Sequence, residues 1–84
     1  MPTIAIVDGV ALIIYSNDHL PPHIHAQIAE YECKILIASG EVIQGEIPPA
    51  KLRKVQSWLK EHFDDVSFAW EEVYSGRGFK GRIK

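Results

Sequence analysis

Three of the four histidines lie in one short segment, residues 18–25, whose sequence is DHLPPHIH. If this segment ends in a strand, His23 and His25 point to the same face, roughly 6.5–7 Å apart by the rise of the strand. Two imidazoles so placed can converge on one ion or one phosphate, or exchange protons near neutral pH. Pro21 and Pro22 stiffen the approach, which reduces the entropy lost in fixing the geometry. This segment is therefore the first candidate for a functional site.

Two chemical interpretations of the segment are open. As an acid–base pair, His23 and His25 would be catalytic residues, assisted by Glu32 or Lys34 on the adjoining strand. As a metal site, His19, His23 and His25 would bind a divalent transition metal ion, the one cofactor that these residue types suggest. The sequence contains no second cluster with a recognised ligand spacing that would favour the metal interpretation. It also does not decide whether the chain is an enzyme.

Two interpretations without chemistry are also open. As a recognition surface, the histidines of the segment and Tyr15 or Tyr31 would bind a peptide or a nucleotide. Asp18, His19, Tyr31 and Lys34 are the candidate binding residues around it. The chain end would add three binding residues, Arg77, Lys80 and Arg82. Alternatively, the histidines only hydrogen-bond to the backbone of the loop and leave a solvated sheet face.

The charge of the chain is unevenly distributed. The formal net charge is −2, but residues 77–84 contain four of the nine basic residues and no acid. Residues 1–76 therefore have five basic and eleven acidic residues, a net charge of −6. The body of the protein would repel a phosphate backbone or an anionic membrane, whereas the chain end would attract RNA.

Other features indicate a cytoplasmic protein. Cys33 is the single cysteine, so an internal disulfide is excluded, as is common in a reducing compartment. The N-terminus lacks the pattern of a signal peptide, and the longest apolar run, residues 10–15, is too short to cross a bilayer. We therefore expect no association with a membrane.

The first half of the chain has the pattern of an antiparallel sheet. Residues 3–7 and 10–15 are predicted to form a hairpin across Asp8 and Gly9, which tolerate the positive φ of a type I′ turn. Residues 10–15 are apolar on both faces, which indicates a strand at the centre of the sheet. Alternating residues from 23 to 28, then 31–38 and 41–44, predict three further strands.

The second half of the chain is predicted to be helical. Pro48 and Pro49 end the last strand and can begin a helix, whose apolar stripe recurs at residues 52, 55, 59 and 63. A second helix, capped by Asp64 or Asp65, ends at Gly76. The order predicts an α+β fold, an antiparallel sheet of four to five strands with two C-terminal helices packed on one face. Residues 1–76 would form one domain and residues 77–84 a basic, flexible tail.

The chain resembles the small bacterial proteins grouped as domain of unknown function 4160. The resemblance rests on the opening residues MPTI, the block DHxPPHxH at 18–25, the motif GxIP at 45–48, and the tryptophans Trp58 and Trp70. Such proteins are often encoded beside another small protein, which implies a two-protein module similar to a toxin–antitoxin pair. The resemblance implies no activity, and the basic, glycine-rich chain end departs from it.

These observations lead to two functional hypotheses. In the first, the chain is a small component of a prokaryotic two-protein, toxin–antitoxin-like module. It binds a small cognate protein through its helices or a sheet edge, with RNA as a further ligand of the histidine patch. In the second, the chain is a regulatory module that binds a divalent metal without catalysis. A homodimer is compatible with either hypothesis, because so small a domain gains stability from association.

Overall fold

Five strands and two helices follow one another along the chain. The computed structural model describes residues 3–16 and 19–83, so Asp18 lies outside the described residues. The strands are β1 (Thr3–Val7), β2 (Val10–Ile13), β3 (His23–Ile28), β4 (Tyr31–Leu36) and β5 (Val42–Glu46). The helices are α1 (Pro49–Glu61) and α2 (Phe63–Tyr74). No helix in these two ranges is long and apolar enough to span a membrane.

The strands form one antiparallel meander in the order β1-β2-β3-β4-β5. The alternation of the sequence explains its two faces. Leu12 lies opposite Ala26, and Ile24 lies opposite Ile35, so these apolar side chains share one face. His23 and His25 alternate with Ile24 and Ala26 along β3. The predicted α+β fold with two C-terminal helices is confirmed.

The helices complete a core on the apolar face of the sheet. Val55 and Leu59 of α1 and Val66 and Val73 of α2 are buried in one cluster with the strand residues. The spacings of four residues in α1 and seven residues in α2 place each pair on one side of its helix. Cys33 belongs to the same cluster, and burial raises the pKa of its thiol above the usual value. Cys33 is therefore a core residue.

Several boundaries differ from the sequence-based predictions. β2 ends at Ile13, and β5 covers residues 42–46 where 41–44 were expected. α2 begins at Phe63 with His62 as its N-cap, so the prediction of a cap at Asp64 or Asp65 is wrong. β2 lies between β1 and β3 and is therefore an interior strand, although the middle strand of the five is β3. An apolar pattern on both faces indicates an interior strand without fixing its place in the order.

The predicted tail contacts the rest of the domain in several places. The Ile83 amide donates a hydrogen bond of 2.7 Å to the carbonyl of Ile4 on β1, and Phe79 packs against the core cluster. The chain therefore returns to the outer edge of β1. The flexibility of residues 77–84 in solution stays a prediction.

The β1–β2 turn is fastened to α1 by a charged contact. Asp8 and Gly9 both have positive φ, at 51° and 83°, as a type I′ turn requires. The Lys51 ammonium donates to the Asp8 carbonyl at 2.9 Å and to its carboxylate at 3.0 Å. The hydrogen bond from Lys51 is the main cause that lowers the pKa of the Asp8 carboxyl from its ordinary value of 3.8, and the positive charge of Lys51 adds to the effect.

We expect this contact to make stability depend on pH in the acid range. Because the pKa of Asp8 is lower in the folded than in the unfolded chain, its stabilisation is present above the unfolded value. It is lost as the pH falls through the folded value. The Asp8→Asn variant, whose amide tolerates the positive φ, should melt below the wild type at neutral pH. The two melting temperatures should converge in acid, and a difference that stays constant with pH would contradict the assignment.

Candidate functional site

His23 and His25 lie side by side on β3. Their ring centroids are 5.3 Å apart, and the rings are tilted by 54°. His25 is paired across the sheet with Ile13 on one side and Lys34 on the other. The two imidazoles are therefore close enough to act on one group, as the spacing predicts.

Both histidines are buried. His23 is 4% exposed and His25 is 7% exposed, so the patch is not an open, solvated sheet face. The sequence does not predict this burial, because alternation assigns a side chain to a face without saying what covers that face. A ligand can reach the imidazoles only by way of the side chains around them.

Hydrogen bonds and a carboxylate orient the two rings. His23 Nδ1 lies 2.8 Å from the carbonyl of Pro21, which can only accept, so this nitrogen carries the proton. His25 Nδ1 lies 3.4 Å from Glu32 Oε2. Gln27 donates from Nε2 to Glu32 at 3.2 Å and to the Tyr15 hydroxyl at 3.2 Å. A carboxylate beside an imidazole orients the ring, so Glu32 is the residue that would assist His25 in acid–base chemistry.

The histidines belong to a longer series of ring contacts, which we name the ring row. From one end to the other it contains Tyr15, His25, His23, Trp70 and Tyr74. The successive centroid distances are 4.5 Å, 5.3 Å, 5.5 Å and 5.6 Å. These distances are typical of favourable aromatic pairs. The ring row therefore joins the sheet to α2.

The ring row leads from the protein interior to its surface. Trp70 is 5% exposed, whereas Tyr74, stacked on it with an angle of 17° between the rings, is 52% exposed. His19 lies beside the row, with its centroid 6.4 Å from that of His23, and is exposed. A partner that contacts Tyr74 or His19 would thus touch the buried histidines indirectly.

The other predicted binding residues lie at varying distances from this cluster. Lys34 is directly across the sheet from His25, on the same face. Tyr31 is at the start of β4, opposite Ile28, and is exposed. At the chain end, Arg77 is engaged by the Glu72 carboxylate, while Lys80 and Arg82 are exposed. The roles of all these residues stay predictions.

The proposed metal ligands do not form a compact set. Among residues 3–16 and 19–83, no group of three or more histidine, cysteine, aspartate or glutamate side chains has the arrangement of a metal site. The metal interpretation of His19, His23 and His25 therefore gains no support from the arrangement of these residues.

The fourth histidine has a structural position. His62 ends α1, its Nδ1 lies 3.0 Å from the Trp58 carbonyl, and its ring stacks on the Trp58 indole at 4.5 Å. Its ring partner, Trp58, does not belong to the ring row. Its role at the helix end agrees with the spacing of four residues between Trp58 and His62.

Trp70, Tyr74 and Gln27 are the site residues that sequence reasoning missed. The spacing of four residues between Trp70 and Tyr74 indicates that the two rings meet on one side of a helix. Nothing in the sequence indicates that Trp70 also meets His23, since the two residues are 47 positions apart and the contact depends on how α2 lies relative to β3. Gln27 lies two residues after His25 on β3, so the alternation places both side chains on one face, which is a weak indication that Gln27 belongs to the site.

The comparison with family models places the chain among related proteins. The model described as "Domain of unknown function (DUF4160)" matches residues 9–71. The chain belongs to this family. The region shared with the DUF4160 family contains β2 to β5, α1 and the first part of α2, so both histidines and Trp70 lie within it. Tyr74 lies three residues beyond it. Searches of curated proteins and of solved structures found no match.

Proposed function

We propose that this DUF4160 protein is a small component of a prokaryotic two-protein, toxin–antitoxin-like module, and that it binds its cognate protein at the exposed end of the ring row. The observation that supports the proposal is the ring row itself. It connects the specific histidine block to Tyr74, which is half exposed although it stacks on a buried tryptophan. Aromatic side chains anchored in this way are typical centres of protein interfaces.

The charge of α2 favours a protein over RNA at this surface. Between Phe63 and Tyr74 the helix has four acidic residues and no basic one: Asp64, Asp65, Glu71 and Glu72. Single-stranded RNA also stacks on aromatic rings, but its phosphates need a basic groove. Arg77, the nearest basic residue along the chain, is held by Glu72. The partner surface should therefore be basic around an apolar pocket that receives Tyr74.

The edges of the sheet are less suited to a partner. β5 is short, is preceded by Glu41 and ends at Glu46, and its register with β4 shifts between Gln44 and Val42, which leaves Ile43 as the extra residue. Charges and bulges of this kind discourage the addition of a strand. At the other edge, β1 is contacted by Ile83. Both features support the helical side of the molecule as the binding surface.

The burial of His23 and His25 supports a positioning role for them. They are only 4% and 7% exposed, so a substrate has little access to them. The Pro21 carbonyl holds His23 and the Glu32 carboxylate lies beside His25, so the two imidazoles can hold the neighbouring rings in place. The polar atoms of the two imidazoles favour one arrangement of the rings, because moving a ring out of place would break a buried hydrogen bond. Catalysis by these residues would first require Trp70 or Tyr15 to move.

Purification of the tagged protein from its native host, at moderate salt, tests the proposal. We expect a second small protein that stays in equimolar amount through size-exclusion chromatography, with the ultraviolet absorbance of protein alone. Absorbance dominated by nucleic acid would contradict the choice of a protein partner and favour RNA. A protein that carries only a metal ion would support the metal-binding alternative instead.

A further inference from the structure

A concave surface lies between the turn that follows β4 and the junction of the two helices. It is an open concavity with a volume of about 520 Å³ and is separate from the ring row. Its apolar lining includes Ile37 and Leu59, which are 4% and 2% exposed, and Phe63, which is 42% exposed. The volume is within the range of sites that bind small molecules, roughly 300–1,000 Å³.

The rim of this concavity is held by hydrogen bonds. The Gly40 amide donates to the Leu36 carbonyl at 2.8 Å, and the Leu36 amide donates to the Glu41 carbonyl at 2.9 Å. Gln56 of α1 donates from Nε2 to the Gly40 carbonyl at 2.8 Å, which fastens the turn to the helix. A rim fixed in advance loses little entropy when a ligand binds.

Lys60 is the one ionisable residue in the lining of this concavity. It is exposed, and no carboxylate in the described part of the chain is within 4.0 Å of its ammonium group. Glu61, Asp64 and Asp65 line a neighbouring concavity on the helix junction, which Lys60 also borders. An anion would therefore bind on the side of Lys60 that faces Gly40 and Leu59, away from these acids.

We propose that this concavity binds a small carboxylate with an apolar body the size of a phenyl ring or a branched alkyl chain. The apolar body would contact Ile37, Leu59 and Phe63, and the carboxylate would pair with Lys60. Burial of the ligand's own apolar surface and of the exposed part of Phe63 supplies most of the affinity, and the charge selects the acid over its neutral analogue. The site is independent of the partner surface, because none of its lining residues belongs to the ring row.

Titration of the ¹⁵N-labelled protein with 3-phenylpropanoate, followed by NMR, tests this site. For a ligand of this size we expect a Kd on the order of 1 mM, with shifts concentrated at the amides of Gly40, Gln56 and Lys60. The neutral amide 3-phenylpropanamide should bind about fivefold more weakly, since it lacks the charge that pairs with Lys60.

Two matched lysine variants complete the experiment. Lys60→Gln should reduce the affinity for the acid to that for the amide. Lys54→Gln, an exposed lysine on α1 outside the concavity, should leave the affinity unchanged. Equal binding of acid and amide, an equal effect of both variants, or no shifts at these amides at about ten times the expected Kd would each overturn the proposal.

Discussion

The Gly45→Ala variant is expected to lose about 3 kcal/mol or more of its free energy of unfolding, enough to unfold much of a small domain. Gly45 has a φ of +76°, which is unfavourable for every residue with a Cβ atom. In addition, a Cβ there would lie 2.3 Å from the Glu32 carbonyl oxygen and 3.1 Å from the Cys33 Cα. Both neighbours are backbone atoms of β4, so they cannot rotate away. Urea denaturation followed by circular dichroism measures the loss.

Gly76→Ala is the matched control for this prediction. Gly76 has a φ of +90°, but a Cβ at that position would meet no atom within 4 Å. It should therefore lose only the conformational term, about 1 kcal/mol. Equal losses in the two variants would show that the close approach of β5 to β4 at Gly45 is not the cause.

The Trp70→Ala variant should lose about 3–5 kcal/mol, as is usual when a buried tryptophan is truncated. Trp70 belongs to the core cluster and is also the ring that joins Tyr74 of α2 to His23 of β3. Its removal would therefore open a cavity and divide the ring row. Trp70→Phe retains a ring in the row and should cost less, about 1–2 kcal/mol.

Trp58→Ala is the control for Trp70, because it removes the same side chain from the other helix. Trp58 is partly buried and stacks on His62, away from the ring row. Its loss should be clearly smaller than that of Trp70→Ala in the same denaturation experiment. If the two alanine variants were equally unstable, Trp70 would not be the link between helix and sheet that its contacts indicate.

The fold was largely predictable because its signals are local. The Asp8 and Gly9 turn, the alternation around Ile24 and the helical spacing from Val55 to Leu59 each depend on neighbouring residues, and each appears in the structure where it was expected. The position of β3, and not β2, in the middle of the sheet was not predictable in this way. Strand order depends on pairing between distant residues, which an apolar pattern does not specify.

The candidate site was predictable only in part. The spacing of His23 and His25 shows that they share a face, because the period of a strand is two. Their burial and their contact with Trp70 depend on how α2 packs, and no local pattern carries that information. The consequence is functional, since the sequence alone leaves open whether the histidine patch is exposed, whereas the structure has a buried pair that is linked through Trp70 to the exposed Tyr74.

The affinity of the copurified partner for two variants of α2 tests the central claim most directly. Tyr74 and Phe68 are both exposed aromatic residues, at 52% and 58%, but only Tyr74 belongs to the ring row. By isothermal titration calorimetry, Tyr74→Ala should weaken binding by at least about tenfold, the effect of an interface anchor, and Phe68→Ala by much less. A Kd that is unchanged by Tyr74→Ala, or that responds only to Phe68→Ala, would contradict the ring row as the binding surface.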